Sequence, residues 1–144
     1  MVAAKVCREV SGDFTALLAE YLEKDDGGLA AFREAARETG KRSGNRLKRE
    51  LRLAGGFEDA ELAWQLVSKM SGMRFSVARG EGESTFEHTS CPVLDAGGKR
   101  LCENFCVPLV EGLTEAIAPG CGVRLARAAE GSRPCAKVLT SKAQ

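Results

Sequence analysis

Long apolar runs are missing from this chain. No stretch approaches the roughly 20 apolar residues that cross a bilayer, and the segment Met1 to Cys7 lacks the apolar block of a secretory signal. A cytoplasmic protein without membrane insertion is therefore expected. An excess of one charge is missing too: 21 basic residues face 20 acidic ones, so no general field draws the chain to nucleic acid or to an anionic surface. No aromatic residue interleaves with the basic run Lys41, Arg42, Arg46, Lys48, Arg49 and Arg52 to stack bases. With Glu50 among them, these side chains read as a solvated helix face. His88 is the single histidine, which removes the two-histidine zinc motif, and there is neither a phosphate-cradling glycine loop nor a serine nucleophile elbow. A self-contained enzyme is disfavoured.

What the chain has in quantity is cysteine. Six cysteines stand in 144 residues, a length that suits one domain with one continuous core. In a reducing compartment they read as ligands or redox thiols rather than disulfides.

The periodicities order the rest. Phe14, Leu17, Leu18, Tyr21 and Leu22 recur at helical spacing before Asp25-Asp26-Gly27-Gly28. A longer helix runs from Leu29 to about Leu53 and stops at Gly55-Gly56. Gly40 and Gly44 lie within it although each costs about 1 kcal/mol relative to Ala, so the reading allows a close approach by backbone or ligand, or a kink. A third helix spans Glu58 to Ser71, with Leu62, Leu66 and Met70 on its packing stripe and Trp64 as a core wedge. Then the period changes to two: Met73, Phe75 and Val77 alternate into the turn Gly80-Glu81-Gly82-Glu83, and Ser84 to Ser90 returns as the hairpin partner. A loop at Asp95 to Lys99, a helix from Glu103 to Ala118 weakened by Pro108, a strand from Val123 and a closing strand from Cys135 to Thr140 complete the order. The fold class is α+β: N-terminal helices packed on an antiparallel sheet made of two hairpins separated by a helix. Residues 1–28 form a helical extension and residues 29–140 the main unit of a single domain.

That order and four local strings resemble the 4-vinyl reductase domain family, whose fold is shared by transport-protein-particle subunits and bacterial sensory modules. The strings are the small-residue helix Arg33 to Gly44, the segment Val67 to Val77, the run Cys106 to Gly112 leading to Val123, and Glu130 to Cys135. The resemblance implies a pocket for small hydrophobic or aromatic molecules, or an accessory role in bacteriochlorophyll synthesis. It also implies pairing of domains through helices and, in several members, zinc held by cysteines. Arg127, Ala128 and Ala129 stand where a second cysteine usually precedes the last one, so the family's metal site does not transfer whole.

The cysteines can be placed from this chain alone. A helix from Cys102 and Cys106 to Pro119 is about 24 Å long at 1.5 Å per residue. The strand after it returns towards its start, which brings Cys91, Cys102, Cys106 and Cys135 to one end and leaves Cys121 at the other. Four thiolates suit zinc, placed ahead of an iron–sulfur cluster, with redox thiols or inert packing as the alternatives. Glu103, Glu111 and Glu115 read as solvent-facing, His88 as a strand histidine and Cys7 as incidental. Candidate walls of the ligand pocket are Phe32, Ala36, Trp64, Phe75, Phe105 and Leu109. The preferred function is a sensor or carrier of a small hydrophobic molecule, and a homodimer is expected through the small-residue face of Ala36, Gly40 and Gly44. The rivals are a reductase or tetrapyrrole-processing accessory and a helix-mediated assembly subunit without ligand.

Overall fold

The computed structural model describes residues 28–141. The expected helix around Phe14 to Leu22, and Cys7, lie outside the described residues.

Helix α1, Leu29–Glu50, buries Ala36, Gly40 and Gly44, a stripe at every fourth residue. Helix α4, Val107–Ile117, lies along that stripe. A side chain at Gly44 would meet the Leu113 carbonyl oxygen at 2.8 Å. The glycines therefore serve close packing of two helix backbones within the chain, and α1 continues through them without a break. Helix α1 ends earlier than the Gly55-Gly56 signal suggested. Arg52 takes the left-handed conformation, φ 53°, and the Leu53 amide donates to the Lys48 carbonyl at 2.9 Å, a helix stop usually made with glycine.

Helix α2, Phe57–Met70, buries Ala60, Ala63, Trp64 and Ser68. This corrects the expected stripe: Leu62 is 43% and Met70 82% exposed. The small residues beside Trp64 let the helix sit close to the core, and the larger apolar side chains are left on the outer face.

The hairpin β1, Arg74–Gly80, and β2, Glu83–Ser90, turns at Glu81-Gly82. Strands β3, Cys121–Arg127, and β4, Ala136–Ser141, make the second hairpin. The hairpins join through β2 and β4 into one antiparallel sheet of order β1-β2-β4-β3.

Between the hairpins the chain is helical earlier than expected. Helix α3 spans Pro92–Leu101, with a kink at Gly98 (φ 65°, ψ −171°), where a loop had been expected. Cys102–Cys106 then widen into a π turn, closed by the Val107 amide bonded to the Cys102 carbonyl. Pro108 explains the widening, because it has no N–H and its ring crowds the carbonyl four residues earlier.

The main core gathers Trp64, Phe86, Leu113, Ile117 and Leu139. A second cluster holds Cys91, Leu94, Cys102, Ala129 and Cys135. No helix among the described residues is long and apolar enough to cross a membrane.

Candidate ligand site and cysteine cluster

The pleat of β2 points Ser84, Phe86 and His88 inward. Phe86 pairs with Lys137 and Glu87 with Ala136, so Lys137 and Cys135 share this inner face. His88 Nδ1 lies 3.3 Å from the Cys135 carbonyl oxygen, and the Phe75 ring packs against the imidazole. Helix α2 brings Trp64 over the sheet, tilted against Phe86 with ring centroids 5.0 Å apart. The Trp64 indole donates to Thr114 Oγ1 at 2.8 Å, which ties α2 to α4.

A cavity of about 60 Å³ lies where these elements meet. Its apolar lining includes Trp64, Val67, Phe105, Leu109 and Leu113, and its polar lining includes Ser68, His88, Cys106 and Lys137. Of the six expected ligand contacts, Trp64, Phe105 and Leu109 line it. The other three do not. Phe32 packs on Phe105 from outside, Ala36 is consumed in the α1–α4 crossing, and Phe75 stacks on Phe86. His88 and Lys137 were missed as pocket residues; the two-residue alternation of each strand was the signal that could have placed them.

At about 60 Å³ the cavity is smaller than the roughly 150 Å³ that a benzene-binding cavity provides. Phe105 belongs to the π turn, and Gly98 kinks the chain just before that turn.

Beside the cavity stand the thiols. Cys91, Cys102 and Cys135 share the second cluster, Cys106 lines the cavity, and Cys121 belongs to the main core. Lys137 Nζ donates to Cys135 Sγ at 3.1 Å. The Cys102 thiol donates to Cys135 and, with His88 and Lys137, holds the Cys135 thiol well below its usual range, at about 3. Donating that bond keeps Cys102 protonated, far above the usual thiol range. Burial pushes Cys91 up. Burial also pulls Lys137 down, but the sulfurs of Cys106 and Cys135 more than offset it, and the amine stays above its ordinary value.

The donor chemistry is that of a soft-metal site, but among the described residues no group of three or more His, Cys, Asp or Glu side chains is disposed to hold a metal ion. The cation that stands against Cys135 is the Lys137 ammonium. Two of the glutamates read as solvent-facing pair with surface cations, Glu115 with Arg37 at 2.7 Å and Glu103 with Lys99 at 3.6 Å.

No protein-family model and no curated protein matches this sequence, so the resemblance to 4-vinyl reductase domains rests on its strings and their order. Among solved structures the chain is similar to a trafficking protein particle complex subunit 3 from Naegleria fowleri, covalently bound to palmitic acid. The likeness has a TM-score of 0.65 at 18% identity and covers 96% of this chain and 97% of the other. At that identity it establishes the fold: this chain has the architecture of a trafficking protein particle subunit.

Proposed function

We propose that this domain carries or senses a small apolar molecule, held between α2, the π turn and the sheet. The observation that carries the reading is the cavity itself, with a mostly apolar lining that includes Trp64, Phe105 and Leu109 and a few polar groups among them, the composition usual for ligand sites. The palmitic acid bound to the fold neighbour supports an apolar guest. Trp64 is the sole tryptophan and lines the site, so its emission reports entry directly. In a screen of aromatic, isoprenoid and acyl-chain compounds, a ligand should shift that emission and raise the melting temperature. Leu109→Ala should weaken its binding by about 1–3 kcal/mol if the side chain is covered by the guest. Unchanged emission and melting temperature across the screen would remove the reading.

A second reading, homodimeric assembly, is favoured by the outer face of α2. Leu62 and Met70 lie exposed there, with Glu58 near one end and Lys69 near the other. Two copies packed antiparallel would set Glu58 against Lys69 of the partner subunit on both sides of the apolar strip. Zinc bound by Cys91, Cys102, Cys106 and Cys135 is a separate proposal that requires Lys137 to leave Cys135; elemental analysis of the purified protein decides it.

A further inference from the structure

Lys137 is 3% exposed and is the one charged residue among those that line the cavity. Its position is fixed by the sheet. It lies on β4, opposite Phe86 of β2, so its side chain runs inward beneath α2 and α4 rather than out to solvent. An ammonium has three N–H donors. Among the described residues one acceptor meets it, the Cys135 sulfur at 3.1 Å. Two donors therefore remain beside a mostly apolar cavity.

We infer that Lys137 selects the ligand: the site takes an apolar molecule that ends in an acceptor oxygen, a carbonyl or carboxylate, and this oxygen receives the two protons that Cys135 leaves unused. The inference rests on the pocket reading above and names the chemistry of its guest. A pure hydrocarbon would seal the two donors from water without replacing it. The cavity of about 60 Å³ accommodates a head group of this size without rearrangement. The apolar body then lies against Trp64, Phe105 and Leu109, which belong to the apolar lining of the cavity. His88 and Ser68 also line the cavity and add hydrogen-bonding groups to its wall.

The test compares ligands matched in chain length. Octanoic acid, methyl octanoate and octane are titrated into the full chain, with Trp64 emission and calorimetry as readouts. The acid or the ester should bind roughly tenfold or more tightly than octane, the discrimination expected of a hydrogen bond to a buried charge. In Lys137→Met the preference should fall below about twofold, while affinity for octane is kept or rises. Should Lys137→Met fail to fold, Lys137→Gln retains a neutral donor and should show a reduced but measurable preference. Equal affinity for all three compounds in the unaltered protein, or a preference untouched by both substitutions, overturns the inference and leaves the apolar pocket standing. Binding of none of the three removes the pocket reading together with it.

Discussion

The carbonyl oxygen of Leu109 occupies the space in which a side chain on Gly40 would begin. On the opposite helix, a side chain on Gly112 would likewise run into the carbonyl of Arg37. These obstacles are backbone atoms and cannot rotate away. Either Gly→Ala change must push α1 from α4, and with it the π turn that forms a wall of the cavity. Gly40→Ala and Gly112→Ala should each cost about 3 kcal/mol, the upper end of overpacking penalties, measured from urea midpoints. Gly56→Ala is the control: nothing lies within 4 Å of its added methyl group, so it should cost less than about 1 kcal/mol. A gain of up to about 1 kcal/mol in Gly40→Ala and Gly112→Ala would show that helix propensity, rather than interhelical contact, governs these glycines.

The same crossing shows what the sequence could and could not reveal. Spacing identified Ala36, Gly40 and Gly44 as a face for close approach, but it could not say whether the partner was another copy or α4 of the same chain. Strand alternation placed the two hairpins, yet their joining through β2 and β4 depends on pairing that no local pattern encodes. Leu62, Leu66 and Met70 read as a packing stripe because hydrophobicity alone was weighed. The structure instead buries Ala60 and Ala63, since small residues allow Trp64 to reach the sheet. Of the six residues expected on aromatic and apolar character, Trp64, Phe105 and Leu109 line the cavity. Lys137 escaped because a buried cation goes against the usual distribution of lysine.

Acid stability should depend on Glu61. This carboxylate is buried on α2 and is met by the Arg79 guanidinium, by the Ser84 hydroxyl at 2.6 Å and by Gln65 at 3.1 Å. Hydrogen bonding from Arg79, supported by Ser84 and Gln65, holds its carboxyl below the usual range. In the folded state the group therefore stays ionised at pH values where the unfolded chain has taken up its proton. Its contribution is complete above the unfolded carboxylate range, about pH 4, and is lost as the pH falls through the lower folded value. Glu61→Gln should flatten this part of the stability curve and lower stability at neutral pH by about 1–3 kcal/mol, because Arg79 and Ser84 lose a charged partner. Glu87 and Glu115 are lowered in the same sense by Arg127 and Arg37; they are more exposed, and salt should screen their share. Chemical denaturation across acidic pH at two salt concentrations separates the buried group from the exposed ones. An unchanged acid slope in Glu61→Gln would refute its role.

The outer face of α2 offers the last measurement. Burying Leu62 and Met70 against a second copy would remove the two most prominent exposed apolar side chains of this helix, 43% and 82% accessible in the single chain, from water. Glu58 and Lys69 are eleven positions apart on the same side of the helix, near three turns, so a two-fold axis between them brings each opposite its counterpart. The apolar strip should supply most of the affinity, with central contacts each worth more than about 1 kcal/mol, while the rim pairs add about 0.2–1 kcal/mol each. Sedimentation equilibrium should accordingly show a concentration-dependent dimer. Leu62→Glu with Met70→Glu should be monomeric, with a melting temperature at high dilution like that of the unaltered chain, because neither side chain belongs to the core. Glu58→Lys should weaken the dimer, and adding Lys69→Glu should restore it, since reversing both charges keeps each pair complementary. A chain that stays monomeric at high micromolar concentration, or a dimer indifferent to the double substitution, would assign this face to some other contact and leave the ligand reading to stand without it.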